Sequence, residues 1–167
     1  KRIPWSDIAS NGVTYADPEW QAVADLIATS KFAESIPLLA EMKADTKRRA
    51  PIRQNALYFH GVALQRTGQA DAALAAYKEL VAAFPRSRYL LEVGEAFVTI
   101  HAAKKDFAAA TKAIDEMAGA ADASFAPAAG VLKGRVFEEQ KDWPKAGAAY
   151  GVAARASGVS LTVQFQA

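Results

Sequence analysis

Apolar residues recur along this chain at intervals of three and four positions, which is the spacing of one buried face of an α-helix. The clearest stretch carries two such faces in succession, formed by Leu57, Gly61 and Leu64 and then by Ala73, Tyr77, Leu80 and Phe84. Similar stretches follow one another along the chain, and together they predict an all-α fold. The predicted helices are 18–29, 33–45, 51–67, 70–83, 87–103, 107–120, 124–140 and 144–157.

A short motif returns four times along the chain. Its small anchor residues are Ser35, Ala73, Ala110 and Ala146, separated by 38, 37 and 36 positions. A large residue follows each anchor, at Leu39, Tyr77, Ile114 and Tyr150. Such a period indicates stacked units of two helices each. We divide the chain into an N-terminal extension (1–16), a repeat domain (17–157) with units of about 17–50, 54–87, 91–123 and 127–158, and a C-terminal tail (159–167).

Capping and helix-breaking residues fall between the predicted helices. Asp17-Pro18 is a favourable start, because the carboxylate can cap a helix and proline is tolerated at its first position. Phe84-Pro85 ends one helix, Ser87 can cap the next, and Gly68 lies where a helix must stop. Pro37 falls inside the second predicted helix, so we expect it to kink that helix or delay its start.

These residues resemble the tetratricopeptide repeat family. The second unit supplies the family's pattern of large, small and aromatic positions at Leu57, Gly61, Leu64, Gly68, Ala73, Tyr77 and Pro85. Val98 in the third unit and Val23 in the first stand where that pattern has a small residue. The resemblance implies a helical-hairpin solenoid of about four helix pairs in a right-handed superhelix. It also implies a non-catalytic scaffold that binds another protein or peptide through its concave groove.

The stretch from Ala56 to Ser87 also looks like repeats of bacterial cell-envelope proteins, because it opens with Tyr-x-x-Gly and closes with Phe-Pro-x-Ser. This resemblance implies a periplasmic or envelope-associated complex. A cytoplasmic adaptor built on the same repeats is the alternative. An accessory domain of an enzyme, carried on a helical solenoid, is a further alternative.

The resemblance also implies that the first helix of each unit lines the groove. Projected onto this chain, that gives Trp20, Tyr58, Gln65, Glu92, Glu95, Thr99, Arg135 and Glu138 as protein-binding residues. Tryptophan and tyrosine are favoured anchors in interfaces, although Trp20 could instead pack within the first helix pair. The family's pocket for a peptide carboxylate needs lysines and asparagines, and Glu92 and Glu95 argue against it here.

Five basic residues crowd the junction between the first two units: Lys43, Lys47, Arg48, Arg49 and Arg53. Between Lys43 and Arg53, only Asp45 opposes them. The cluster is either a docking patch for an acidic partner, lipid headgroups or nucleic acid, or a solvated loop beside a helix C-terminus, where cations are favoured anyway. Nucleic acid is disfavoured because the net charge is only +2 and no aromatic residues interleave with the cluster.

The remaining composition narrows the chemistry. The chain has no cysteine, which excludes disulfides and zinc–thiolate sites, and no apolar run long enough to span a bilayer. His60 and His101 lack a metal-binding or acid–base motif around them, and no nucleophile elbow or phosphate-binding loop is present. We therefore expect no catalytic residue, no metal and no cofactor.

The two ends of the chain leave questions open. The chain begins at Lys1 rather than Met, so it is either a processed product or a fragment, and membrane association would come through a partner or a missing N-terminal anchor. Apolar and polar residues alternate from Val159 to Phe165, which is a strand-like period. That tail is a frayed end, the beginning of missing sequence, a cover for the last helix or a strand that pairs with the sheet edge of a partner. The sequence does not indicate the oligomeric state.

Overall fold

The computed structural model describes residues 17–121 and 123–156, and these residues form helices and turns without any strand. The helices are α1 (Pro18–Ala28), α2 (Phe32–Ala44), α3 (Ala50–Arg66), α4 (Ala70–Ala83), α5 (Leu90–Ala103), α6 (Phe107–Ala120), α7 (Ala126–Glu139) and α8 (Trp143–Ala156). A short 3₁₀ turn, Ala123–Phe125, precedes α7. The all-α prediction is confirmed. The predicted extension 1–16 and the predicted tail 159–167 lie outside the described residues.

The helices are joined into pairs by four turns of the same geometry. Each turn contains one residue in the left-handed region: Ser30 (φ 59°), Gly68 (φ 80°), Lys105 (φ 56°) and Lys141 (φ 60°). The N–H of the following residue donates to a carbonyl five positions earlier, as from Gln69 to Leu64 and from Asp106 to His101. This is the hydrogen bond of a Schellman helix end. The repeat in the sequence is therefore accompanied by a repeated backbone conformation at these turns.

Carboxylates begin three of the helices. The Asp17 side chain accepts from the backbone N–H of Trp20 at 3.0 Å, and Asp106 accepts from Ala109 at the same distance. Asp142 accepts from the N–H of Lys145 at 3.2 Å, ahead of α8. Each bond satisfies an N–H that the first turn of a helix leaves without a partner.

Most helix ends lie within two residues of the predicted ones, and two details differ more clearly. Helix α5 begins at Leu90 rather than at 87, because the Ser87 hydroxyl accepts from the Tyr89 N–H at 3.1 Å and holds a turn before the helix. Pro37 lies inside α2, which runs unbroken from Phe32. The proline therefore does not delay the start of that helix.

The buried clusters extend across several helix pairs, because the second helices α2, α4 and α6 each pack against both their own partner and the next pair. Helix α2 packs on α3, α4 on α5, and α6 on α7. One buried cluster runs from α3 to α7, and a smaller one joins α1, α2 and α3. No helix among the described residues is both long and apolar enough to cross a membrane.

Candidate protein-binding groove

A groove of about 580 Å³ lies between α3 and α5, the first helices of the second and third pairs. These two helices run side by side in the same direction. Near their starts, the Tyr89 hydroxyl donates to the Asn55 side chain at 2.8 Å. Near their ends, Lys104 pairs with Asp71, which follows α3 at the start of α4. The residues that line the groove are Tyr58, Val62, Gln65, Arg66, Tyr77, Glu92, Glu95, Ala96 and Thr99.

Five of the residues predicted to bind a partner meet in this groove: Tyr58, Gln65, Glu92, Glu95 and Thr99. Gln65 is fixed there, because its side-chain oxygen accepts from the Tyr77 hydroxyl at 3.0 Å. The Thr99 hydroxyl donates to the backbone carbonyl of Glu95 at 2.9 Å. The groove is therefore a polar surface with an aromatic wall.

The two predicted residues on α7 extend this surface. Arg135 forms an ion pair with Glu95 of α5. Glu138 lies farther along α7 and hydrogen-bonds with Tyr150. Burial and this hydrogen bond together raise the pKa of Tyr150 to about 12. Glu95 is therefore neutralised by a neighbouring unit, and Tyr150 stays protonated at neutral pH.

Tyr58 is part of an aromatic stack rather than an isolated groove side chain. Its ring lies parallel to that of Tyr89, with centroids 4.0 Å apart and planes 2° apart. The Arg88 guanidinium lies 4.7 Å from the centroid of Tyr89 and donates to Asn55 at 3.1 Å. Burial, together with the negative charges of Glu92 and Glu95, raises the pKa of Tyr58. Its hydroxyl therefore remains a neutral hydrogen-bonding group.

Trp20 does not line the groove between α3 and α5. Its half-buried indole packs 5.7 Å from the ring of Phe59, centroid to centroid, and joins the core between the first two helix pairs. This is the packing arrangement that the sequence left open for Trp20. Phe59 in turn lies edge-on to Tyr58, with centroids 5.0 Å apart. Trp20 is therefore connected to Tyr58 in the groove through the ring of Phe59.

The basic residues at the first junction are partly neutralised by acids, most of which are distant in sequence. Arg48 pairs with Asp17 at 3.1 Å, with Glu19, and with Asp45 at 3.4 Å, and its side chain is 18% exposed. Lys43 pairs with Glu79 of α4.

The other three members of the cluster differ in surroundings. Arg53 donates to the backbone carbonyl of Lys43 at 3.4 Å and lies 5.9 Å from the ring centroid of Phe84. Lys47 and Arg49 are exposed. The cluster is thus not one open patch, because two of its five cations bridge neighbouring elements.

The two histidines have different charged neighbours. Burial lowers the pKa of both His60 and His101, and the Nδ1 atom of each is buried without a hydrogen-bond partner. Across the described ranges, no three or more histidine, aspartate or glutamate side chains are grouped so that they could hold a metal ion.

Sequence reasoning missed several residues that shape the groove. Asn55, Arg88 and Tyr89 order its wall, although none of the three was singled out by the repeat pattern. Val62 and Arg66 line it directly. Val62 and Arg66 follow Tyr58 at intervals of four residues, so this helical spacing was the signal that could have found them. Tyr77 was predicted only as a core residue, yet its hydroxyl reaches Gln65.

No family model matches this sequence, and no curated protein matches it.

Proposed function

We propose that this chain is a non-catalytic scaffold of tetratricopeptide type, which binds a segment of another protein in the groove between α3 and α5. The observation that carries this proposal is the groove itself, a volume of about 580 Å³ bordered by aromatic, amide, hydroxyl and charged side chains. Aromatic and arginine side chains beside apolar surface are typical of protein interfaces. Four helix pairs with the same turn geometry support the family assignment. The right-handed superhelix is proposed because the resemblance implies it.

The polar lining favours peptide recognition over the burial of a small apolar ligand. Ligand cavities are mostly enclosed by apolar side chains with few polar groups. Here Gln65, Glu92, Glu95 and Thr99 share an open surface with Val62 and Ala96. Such a surface offers hydrogen bonds along its length, and this suits a chain segment.

We further propose that the scaffold works in a bacterial envelope complex, on the basis of the Phe84-Pro85-x-Ser87 turn that closes the second unit. A cytoplasmic adaptor would use the same groove. Fractionation of the native source, followed by detection of the full-length gene product, separates the two locations.

Site-specific crosslinking tests the binding function. A photo-crosslinking amino acid replaces Thr99 in the groove, and in a matched variant it replaces Lys112, which is exposed on α6. We expect a partner protein to crosslink from position 99 and not from position 112, and to bind the purified chain. Equal crosslinking from both positions, or none from either, would contradict a groove-bound partner.

A further inference from the structure

Two charged side chains of the groove have no ion-pair partner among the described residues. Glu92 lies in the first turn of α5, and Arg66 is the last residue of α3. Both are exposed, and both line the groove. An unpaired carboxylate and an unpaired guanidinium on one concave surface are available to a charged ligand.

These two charges lie at opposite ends of the groove. Contacts between Asn55 and Tyr89 mark the end where α3 and α5 both begin, and the Lys104–Asp71 pair marks the end where both finish. Glu92 is therefore at the starting end and Arg66 at the finishing end. Thr99, the last lining residue of α5, comes seven positions after Glu92, so the lining of α5 extends about 10 Å along the helix axis.

The other nearby charges already have partners. Glu95 is paired with Arg135. Arg88, four positions before Glu92, would be a natural partner for it, but its guanidinium lies over Tyr89 and donates to Asn55. The groove therefore keeps one negative end and one positive end.

We propose that the groove binds a segment of another protein carrying one basic and one acidic side chain at least about 10 Å apart, with the basic one at Glu92 and the acidic one at Arg66. This rests on the proposed function, since it names the chemistry of the partner for the same groove. The two charge pairs fix the direction of the segment, because a reversed segment would bring like charges together. The charged positions are therefore at least about three residues apart in an extended segment and at least about seven apart in a helix.

Peptide selection tests this proposal with random sequences in place of the partner. Random 16-residue peptides on phage are selected on the full chain and counter-selected on Thr99→Trp, whose indole obstructs the finishing end of the groove. We expect the enriched peptides to share a basic and an acidic residue at one of these spacings. Affinity should fall roughly ten-fold in Glu92→Arg and in Arg66→Glu, because each reversal replaces attraction by repulsion.

Compensating changes provide the sharper measurement. A peptide whose basic residue is changed to glutamate should regain affinity for Glu92→Arg. The matched control variants are Glu139→Arg and Arg155→Glu, which reverse exposed charges outside this groove and should bind like the parent. Circular dichroism establishes that each variant is folded.

The outcomes separate this inference from the proposed function. Peptides that Thr99→Trp excludes, but that ignore both charge reversals, would overturn the charge assignment and leave the binding function standing. If no selected peptide depends on the groove, both proposals fail.

Discussion

The ring of Tyr77 occupies the space that a side chain on Gly61 would need. A Cβ atom at position 61 would lie 2.4 Å from Cε1 of Tyr77, and Gly134 stands in the same relation to Tyr150 at 2.3 Å. Helix α3 can therefore approach α4 closely only because position 61 has no side chain. In the other two pairs, the corresponding residues are Val23 with Leu39 and Val98 with Ile114, all of them buried. In these two pairs, the first helix has valine in place of glycine, and the second helix has leucine or isoleucine in place of the larger tyrosine.

We expect Gly61→Leu to lower the free energy of unfolding by about 1–3 kcal/mol, because the ring of Tyr77 is buried and has little room to move. Ala73→Leu, at a fully buried position in α4, should behave similarly. Gly147→Leu is the matched control, since nothing lies within 4 Å of a Cβ atom there. Urea denaturation measures all three. A double variant, Gly61→Val with Tyr77→Ile, copies the third pair and should recover part of the loss.

The turn residues give a second prediction, on backbone conformation. Lys105 occupies the left-handed region at φ 56°. This backbone conformation is unfavourable for residues with a side chain, whereas glycine adopts it readily. Lys105→Gly should therefore raise the free energy of unfolding by about 0.5–1 kcal/mol. Gly68→Ala, at φ 80°, should lower it by about 1 kcal/mol.

The same glycine-to-alanine change should have the opposite sign inside a helix. Gly147→Ala in α8 should stabilise by up to about 1 kcal/mol, because alanine is the better helix former. Thermal denaturation of the three variants provides the comparison. A destabilised Lys105→Gly would mean that its side chain makes a contact worth more than the conformational gain.

The helices could be predicted from the sequence because their apolar spacing and their turn residues agree. Gly68 and Asp17 each specify a boundary through local chemistry, and both boundaries lie within two residues of the predicted ones. The start of α5 could not be predicted, since Ser87 can cap either a helix or a turn. Tyr89, packed on Tyr58, favours the turn here, and that contact is between residues far apart in sequence.

The groove was predictable only in part, for a related reason. Helical offsets place Tyr58, Gln65 and Glu92 on inner faces. Ion pairing depends on which units become neighbours, so the Glu95–Arg135 pair and the contacts of Arg48 with Asp17 and Glu19 could not be read from local sequence. Only packing brings such charges together.

The histidines predict how stability depends on pH. Burial lowers the folded-state pKa of His60, near Lys43 and Glu79, and of His101, near Asp106, Lys104, Lys78 and Asp71. Below the unfolded value of about 6.5, the unfolded chain binds protons that the folded chain does not. The free energy of unfolding should therefore have its full value above a pH of about 6.5 and should fall as the pH decreases below it.

The matched variant for this prediction is His60→Gln with His101→Gln, which removes both titrating groups. Between pH 7.5 and 5.5 its stability should change less than that of the parent. Denaturation curves at several pH values give the two slopes. Equal slopes would mean that the histidines titrate alike in the folded and unfolded states.

Arg48 predicts a structural role for part of the basic cluster. It joins Asp17 and Glu19, at the start of α1, to Asp45 in the turn before α3. Arg48→Ala should lower the free energy of unfolding by about 1–3 kcal/mol, because it leaves these carboxylates without their shared cation. Lys47→Ala, at an exposed neighbour, should stay within about 0.5 kcal/mol of the parent. If both variants unfold alike in urea, the Arg48 network contributes no net stability.

Tyr58 allows the structural and binding roles of the groove wall to be separated. Its ring stacks on Tyr89, and its hydroxyl lies on the side of the groove that carries Glu92 and Glu95. Tyr58→Ala should lower the free energy of unfolding by about 1–3 kcal/mol, because a half-buried ring and its stacking contact are both lost. Tyr58→Phe keeps the ring and should unfold like the parent.

With a groove-bound peptide, Tyr58→Phe should retain most of the affinity if the ring provides an apolar contact, and the remaining loss should not depend on salt. Isothermal titration at two salt concentrations measures this. A phenylalanine variant that unfolds normally but no longer binds would instead assign recognition to the hydroxyl group.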